Sequence, residues 1–451
     1  MNRLALSVIL CSFALSCVAC DDSSSGDNSS GGKVQPTLKL AGRITQQYSG
    51  NIESVRAVPG RSNPSAVAVS SKTKTLHYLE ISGDKFNNYR EDFVYSEENV
   101  ENEYTNSAVV DEDMTLVTHT IVTKTGDNKV TNCEGEIMSI AYDSSTQKTN
   151  AHAVEVGPMP DAIAVTPDKK YAISADEHDS TATWGKCPVG NGITPSVSIL
   201  ALTDAEGGKL EKPVRVKKIT FTVNSSKESR EPEYVAIASD NDTVAVTLQD
   251  SHEVALFSLK AVLDSEGDLT ENDVKIVELP KNSAGSKAWP DGVTAFDIEG
   301  KHYFAMAGEA NDTIIIIDDK GNAVANPQIT KREVPTEYPC LEDSGFPGVN
   351  YSPDSVTAFV LGGHTYVAAT LRYAGAVIIY DVSNPAKPVF ERIDRAGKGD
   401  RVGDGTCKGY SEQSTVYPEG ISSEVIGDVA YVWVANEGDN TVTALKFEAM
   451  K

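Results

Sequence analysis

The chain has 451 residues, 40 of them basic and 65 acidic, for a formal net charge of −25. So acidic a balance argues against nucleic acid, which needs a basic footprint, and against electrostatic docking on anionic lipid. It favours solubility and attraction to cations or basic partners.

Residues 1–20 read as a secretory signal. Arg3 supplies the positive end, and Leu4 to Val18 is an apolar stretch too short to span a bilayer. Val18-Ala19-Cys20 resembles a bacterial lipobox, which makes Cys20 the expected lipid anchor and Cys17 a second candidate. An ordinary soluble signal is the alternative. Residues 21–36 are expected to form a flexible tether, since Asp21 to Lys33 is almost wholly Ser, Gly, Asp and Asn. The expected location is the bacterial envelope, at the outer membrane or cell surface rather than the inner membrane. Asp21 and Asp22 are compatible with either.

From residue 37 onward the chain reads as β-strands. Leu38 to Gln47 is a lone strand. Two groups of four follow: Ser54 to Val58, Ala66 to Ser70, Thr75 to Ile81 and Tyr89 to Tyr95, then Ser107 to Val110, Met114 to Val122, Gly135 to Tyr142 and Ala151 to Val156. A short pattern then appears five times: Met159-Pro160-Asp161-Ala162-Ile163, Glu231-Pro232-Glu233-Tyr234-Val235, Trp289-Pro290-Asp291-Gly292-Val293, Ser352-Pro353-Asp354-Ser355-Val356 and Tyr417-Pro418-Glu419-Gly420-Ile421. Near-regular spacing of one motif marks a repeat protein. After each motif come β-branched runs bounded by Asp, Asn and Gly turns, such as Val377 to Tyr380 and Val442 to Leu445. Four strands per repeat around a ring make a β-propeller. The expected fold is all-β: a seven-bladed propeller of four-stranded antiparallel blades over residues 37–451. The last repeat lacks its outer strand, and Leu38 to Gln47 is expected to supply it, hiding the open edges. Six or eight blades would follow from another division of residues 50–156.

Tyr417-Pro418-Glu419-Gly420-Ile421 with Tyr431-Val432-Trp433-Val434-Ala435-Asn436-Glu437-Gly438-Asp439-Asn440 resembles the YVTN-type propeller repeat, as does Pro160 to Tyr171. The Ala-Asn-Glu-Gly element also resembles bacterial surface propellers with choice-of-anchor domains. The resemblance implies the fold. It implies no single activity, because that superfamily holds lactonases, dehydrogenases and non-catalytic binding proteins.

Seven cysteines are present. Cys133, Cys187, Cys340 and Cys407 lie in the domain, and an even number in an exported chain suggests two disulfides. Cys133 and Cys187 fall between second and third strands of neighbouring blades, and Cys340 and Cys407 in the long connections entering blades 6 and 7. Cys133–Cys187 and Cys340–Cys407 are the expected pairs. A zinc site is the rival, without CxxC or Cys/His spacing to support it. Propeller topology puts all four on one face, with the longest insertions: 176–194, 331–352 and 395–417. Trp184, Tyr338, Phe346, Tyr351, Tyr373, Tyr410 and Tyr417 enrich that face in aromatics, which suits a protein or carbohydrate partner.

The motif acids Asp161, Glu233, Asp291, Asp354 and Glu419 begin the innermost strands and are expected to ring the channel mouth on that face. They read either as structural tethers, each accepting backbone N–H groups of its own loop, or as a funnel for a divalent cation such as Ca²⁺. The tether is the favoured reading, since a residue repeated in every blade usually builds the blade. Glu177, Glu309 and Glu437 occupy equivalent positions after second strands. Arg372 replaces them in blade 6, either in an ion pair with neighbouring acids or to hold an anionic group. His119, His178 and His252 are expected in loops on this face, as solvated side chains or, less commonly, as ligands or bases. His302 and His364 fall on the opposite face, without a role. The sequence therefore points to an envelope-anchored binding or scaffolding module. The alternative is a metal-dependent, lactonase-like hydrolase with its site in the funnel, for which Glu177, Glu309, Glu437 and a histidine would have to converge.

Overall fold

Alternating apolar residues flanked by turn formers leave little but strand, and the backbone follows. The computed structural model describes residues 37–93, 101–103, 105–124, 130–178, 194–223, 229–334, 341–342, 349–397 and 416–450. The described strands form seven sheets of four or five strands around a ring, and Leu341–Glu342 pairs with Val349–Asn350 in a separate two-stranded sheet. Blade 1 is Ile52–Ala57, Ser65–Ser70, Thr75–Ser82 and Lys85–Phe93. Blade 2 is Ser107–Asp111, Met114–Lys124, Val130–Asp143 and Lys148–Glu155, with Glu101–Glu103 also against its second strand. Blades 3 to 6 begin at Pro160, Pro232, Pro290 and Pro353, the motif prolines. Blade 7 holds Pro418–Ile426, Val429–Asn436 and Thr441–Ala449.

The fourth strand of blade 7 is Leu38–Gln47, running antiparallel to Thr441–Ala449 from Leu38 opposite Ala449 to Gln47 opposite Thr441. A clamp fixes its start. Glu391 accepts hydrogen bonds from the Thr37 and Leu38 backbone N–H groups at 2.5 and 2.6 Å. The Thr37 hydroxyl reaches Tyr366 at 2.7 Å, and Met450 N–H donates to the Thr37 carbonyl at 2.7 Å.

The core lies between blades rather than at the centre. Seven apolar clusters occupy the seven blade-to-blade seams. The seam that closes the ring packs Ile52, Val55 and Phe86 of blade 1 against Trp433, Val442 and Ala444 of blade 7. Trp433 is fully buried and stacks on Phe86 at 5.5 Å, a burial worth about 3–5 kcal/mol. Adjacent inner strands touch so closely that a Cβ on Gly292 would sit 2.7 Å from Ser355 Cα, and one on Gly420 2.7 Å from Ser54 Cα. Glycine at those motif positions is a packing requirement.

Chain direction defines two faces. Each inner strand starts at the motif face and turns at the hairpin face, for example where Leu361 meets His364. Cys133 lies within the third strand of blade 2, not in the connection before it as the sequence reading placed it. The apolar alternation near Cys133 is too weak to mark the strand's start. Cys187, Cys340 and Cys407, and with them the expected pairings, lie outside the described residues, as does the anchor Cys20. One short α-helix, Leu259–Asp264, follows the third strand of blade 4.

Candidate functional site

A repeated backbone bond assembles the motif face. The residue just past each second strand donates its N–H to the carbonyl of the residue before the motif proline. Glu177 bonds Met159 at 2.9 Å, Glu309 bonds Trp289 at 3.0 Å, Arg372 bonds Ser352 at 2.8 Å and Glu437 bonds Tyr417 at 2.9 Å. Gln249 bonds Glu231 at 3.2 Å, and Ser71 bonds Asn51 at 3.0 Å in blade 1. This bond sets each second-strand residue beside the motif acid of its own blade. Met159, Trp289, Ser352 and Tyr417 carry φ of +46 to +53°, a region that side chains enter at a cost.

The last bond in the series exposes a residue the motif search passed over. Asn51-Ile52-Glu53-Ser54-Val55 occupies the motif position of blade 1 without its proline, so Glu53 belongs to the ring. In blade 2 the slot goes to Thr105. Asn106 N–H bonds the Thr118 hydroxyl at 2.8 Å, just as Ser355 bonds Thr370 and Tyr234 bonds Thr247, both at 2.9 Å. Six of seven blades therefore present a carboxylate. Its position before the first apolar strand was the available signal for Glu53.

The acids fall into two groups. Glu53, Glu419 and Glu437 place one oxygen each within 4.8 Å of one another, and so do Asp161, Glu177 and Glu233. Glu177 and Glu437 thus join different groups, and no histidine belongs to either. The convergence that a single catalytic point would require is absent among the described residues.

Arg372 meets the first group at Glu419 and reaches Asp354 outside it. Its guanidinium meets Glu419 at 2.5 Å and Asp354 at 3.6 Å and lies over the Tyr417 ring at 5.3 Å. Tyr417 in turn packs edge-on against Tyr373. Of the remaining aromatics expected on this face, Tyr351 is buried, and Trp184, Tyr338, Phe346 and Tyr410 lie outside the described residues. Burial disfavours the charge on Arg372, but Glu419, Asp354, Glu309 and Asp291 outweigh it and hold its pKa well above the ordinary value.

The tether reading fails for three of the motif acids. Asp354 and Glu419 turn to Arg372 instead of to backbone N–H groups. Asp291, only 7% exposed, takes neither a hydrogen bond nor an ion pair among the described residues. Burial first, then Asp354, Glu233, Glu309 and Asp161, drives the Asp291 pKa well above the usual carboxylate range. Burial likewise raises Asp354 to about 7 although Arg372 opposes the rise, and it lifts Glu419 as well. Backbone tethering falls to other carboxylates. Asp312 accepts from Tyr351 and Ser352 N–H at 2.7 and 3.2 Å. Asp176 accepts from Gly157 N–H and from Ser174, Ser196 and Ser198.

Tyr234 lies across the channel beneath this ring. It starts in blade 4 and accepts a hydrogen bond from the Ser355 hydroxyl of blade 6 at 3.2 Å. Below it, towards the hairpin face, a cavity of about 390 Å³ is lined by inner-strand residues including Arg56, Thr294 and Thr357. Arg56 braces blades 7, 1 and 2 through the Ile421 and Ser107 carbonyls and the Asn106 side chain. Neither Tyr234 nor Arg56 is marked by pattern, because their roles depend on residues far away in sequence.

The histidines expected in solvated loops are buried: His119 at 5%, His178 at 0% and His252 at 7% exposure. His119 is a strand residue, bonded to Glu136 at 3.1 Å, and burial lowers its pKa to about 4. His302 and His364 do lie on the hairpin face, paired with Asp297 and Asp381 at 2.7 Å.

Fold and site together define a seven-bladed propeller with an acidic axial mouth. No family model matches the chain, and no curated protein does. Among solved structures, hydrazine synthase of Kuenenia stuttgartiensis is similar at 13% identity and a TM-score of 0.49, over 89% of this chain and 97% of that one. The periplasmic gluconolactonase of Pseudomonas aeruginosa is similar at 11% identity and a TM-score of 0.49, over 87% of this chain and 95% of that one.

Proposed function

We propose that the protein is an envelope-anchored binding module whose acidic mouth receives a cationic ligand, either a divalent metal such as Ca²⁺ or a basic group of a protein or carbohydrate partner. One observation carries this reading. Nine carboxylates (Glu53, Asp161, Glu177, Glu233, Asp291, Glu309, Asp354, Glu419 and Glu437) gather at one mouth, and Arg372 pairs with two of them. Like charges so close stabilise bound cations and raise their local concentration. The anchor at Cys20 and the pairs Cys133–Cys187 and Cys340–Cys407 belong to the same proposal, holding the module at the envelope and bracing the loops of the motif face.

A metal-dependent hydrolase is the second reading. It is favoured by Asp354, a carboxyl titrating near 7 beside an arginine, as a general acid–base group would. The test is isothermal titration of the purified full-length protein with Ca²⁺, spermine and a short oligolysine peptide at low salt. Saturable binding of at least one that weakens as salt rises supports the module, because salt screens an electrostatic mouth. No binding of any of the three refutes it. Turnover of simple lactones that needs added metal would move the assignment to the hydrolase.

A further inference from the structure

Two breaks in the repeat build a chamber at the other end of the channel. Four residues beyond each motif proline, the inner strands carry Ala164, Ala236, Thr294, Thr357 and Ser422, and the equivalent residue of blade 2 is Ala108. Blade 1 carries Arg56 there. All of these residues line the cavity of about 390 Å³ below Tyr234. Small side chains at that level leave the channel unfilled. Tyr234 closes it above, standing where blades 3, 5, 6 and 7 have Ala162, Gly292, Ser355 and Gly420, and reaching Ser355 of blade 6 at 3.2 Å. Arg56 is the only charged residue among those lining the cavity. Its guanidinium donates to neutral groups: Nε to the Ser107 carbonyl at 3.0 Å, Nη1 to the Ile421 carbonyl at 3.0 Å and the Val55 carbonyl at 3.4 Å, and Nη2 to the Asn106 side-chain oxygen at 2.8 Å. Nη2 carries two hydrogens, so one N–H is left over. These bonds fix the guanidinium in place without cancelling its charge, and no carboxylate pairs with it among the described residues. A cation set in a mostly apolar wall is costly to hold without a counter-charge.

We infer that this cavity binds a small carboxylic acid with an apolar body, its carboxylate on Arg56 and its hydrocarbon against Val165, Ile237 and Val293. Arginine is suited to carboxylates, because its guanidinium is always charged and its donors are held in a rigid plane. Small-molecule sites of about 300–1,000 Å³ combine apolar walls with a few placed polar groups that orient the ligand. The chamber has that make-up: the hydroxyls of Thr294 and Thr357 and the Arg56 guanidinium interrupt a lining that is otherwise largely Val, Ile and Ala. The site goes beyond cation binding at the motif face and does not depend on it. Tyr234 stands between the acidic mouth and the chamber, so an anion entering from the hairpin face reaches Arg56 without passing the motif acids.

The test is isothermal titration of the full-length protein with sodium hexanoate, sodium phenylacetate and hexanol, the last having the hexanoate body without its charge. The variants Arg56→Met and Thr294→Leu, checked for unchanged thermal unfolding, are titrated alongside. The expected result is one acid per chain for hexanoate or phenylacetate, with hexanol at least tenfold weaker than hexanoate. Arg56→Met should bind the acid at least tenfold more weakly and no longer distinguish hexanoate from hexanol. Thr294→Leu, which fills part of the chamber, should weaken the acid at least tenfold with Arg56 in place. Absence of saturable binding of both acids would overturn the inference. So would equal affinity for hexanoate and hexanol in the wild-type protein, an Arg56→Met variant that keeps the discrimination, or a Thr294→Leu variant that binds as tightly as wild type. Should Arg56→Met unfold, since Arg56 braces three blades, the comparison of acid with alcohol and the Thr294→Leu variant decide alone.

Discussion

Replacing Arg372 with methionine removes the cation that pairs with Asp354 and Glu419 while keeping most of the side chain's length. Arg372 is 30% exposed on its side chain, Asp354 7% and Glu419 18%, so the trio is largely shielded from solvent. At a charge separation of about 4 Å and an effective dielectric of 20, each pair is worth about 4 kcal/mol before desolvation is counted. Restoring water to the arginine offsets part of that, and the partial exposure screens more. The net loss should be about 2–4 kcal/mol at pH 7.5, because Asp354 and Glu419 are left buried and repelling each other. Urea unfolding followed by tryptophan fluorescence measures it. The double variant Arg372→Met with Glu419→Gln should regain at least half of the loss, since neutralising one acid removes the repulsion. A single variant within 0.5 kcal/mol of wild type, or a double variant no better than the single, would refute the claim that Arg372 compensates these acids.

Three more outcomes follow from particular contacts. Glu391→Ala removes the acceptor for Thr37 and Leu38 N–H; it should cost about 2–3 kcal/mol and expose residues near 37 to limited proteolysis, whereas an unchanged digestion pattern would show that the closing strand holds without its clamp. Gly420→Ala forces a Cβ to within 2.7 Å of Ser54 Cα and 2.9 Å of Glu53 O at the ring-closing seam; it should destabilise by about 2 kcal/mol or more, and a neutral result would mean that the seam yields. Burial lifts Glu424 to about 7 from an ordinary 4.5, although Ser65 N–H and Trp433 Nε1–H donate to it. The folded chain therefore holds that proton more tightly than the unfolded one. The resulting stability is complete below pH 4.5 and is lost as pH rises through 7. Glu424→Gln should match wild type near pH 5 and exceed it by about 2 kcal/mol at pH 8, allowing for its partial exposure; a difference that does not grow with pH would contradict this.

Much of the fold was legible because its determinants are local. Strand alternation, Asp and Gly turns and the recurring Pro-acid pair each depend on a few adjacent residues, and Leu38 to Gln47 was recognisable as an orphan strand with the composition of a blade edge. The candidate site was legible in part. The motif acids and the Glu177, Glu309, Arg372 and Glu437 positions could be placed by their repetition in sequence. Whether those acids tether backbone or face an open mouth could not be, because a carboxylate's partner is set by what the neighbouring blade offers. Asp312 and Asp176 took the tethering roles from outside the motif. The histidines illustrate the same limit: polar loop-like surroundings suggested solvation, yet all three are buried.

Sequence alone settled the blade architecture, the closing strand and the acidic character of the chain, since periodicity, turn chemistry and net charge are carried by the residues themselves. The pairing of Arg372 with Asp354 and Glu419, and the gathering of Asp291 among acids of other blades, came from three-dimensional assembly. Blades 3 to 5 and blades 6, 7 and 1 bring together acids tens to hundreds of residues apart, and electrostatic energy depends on their distance through space, which no linear pattern records.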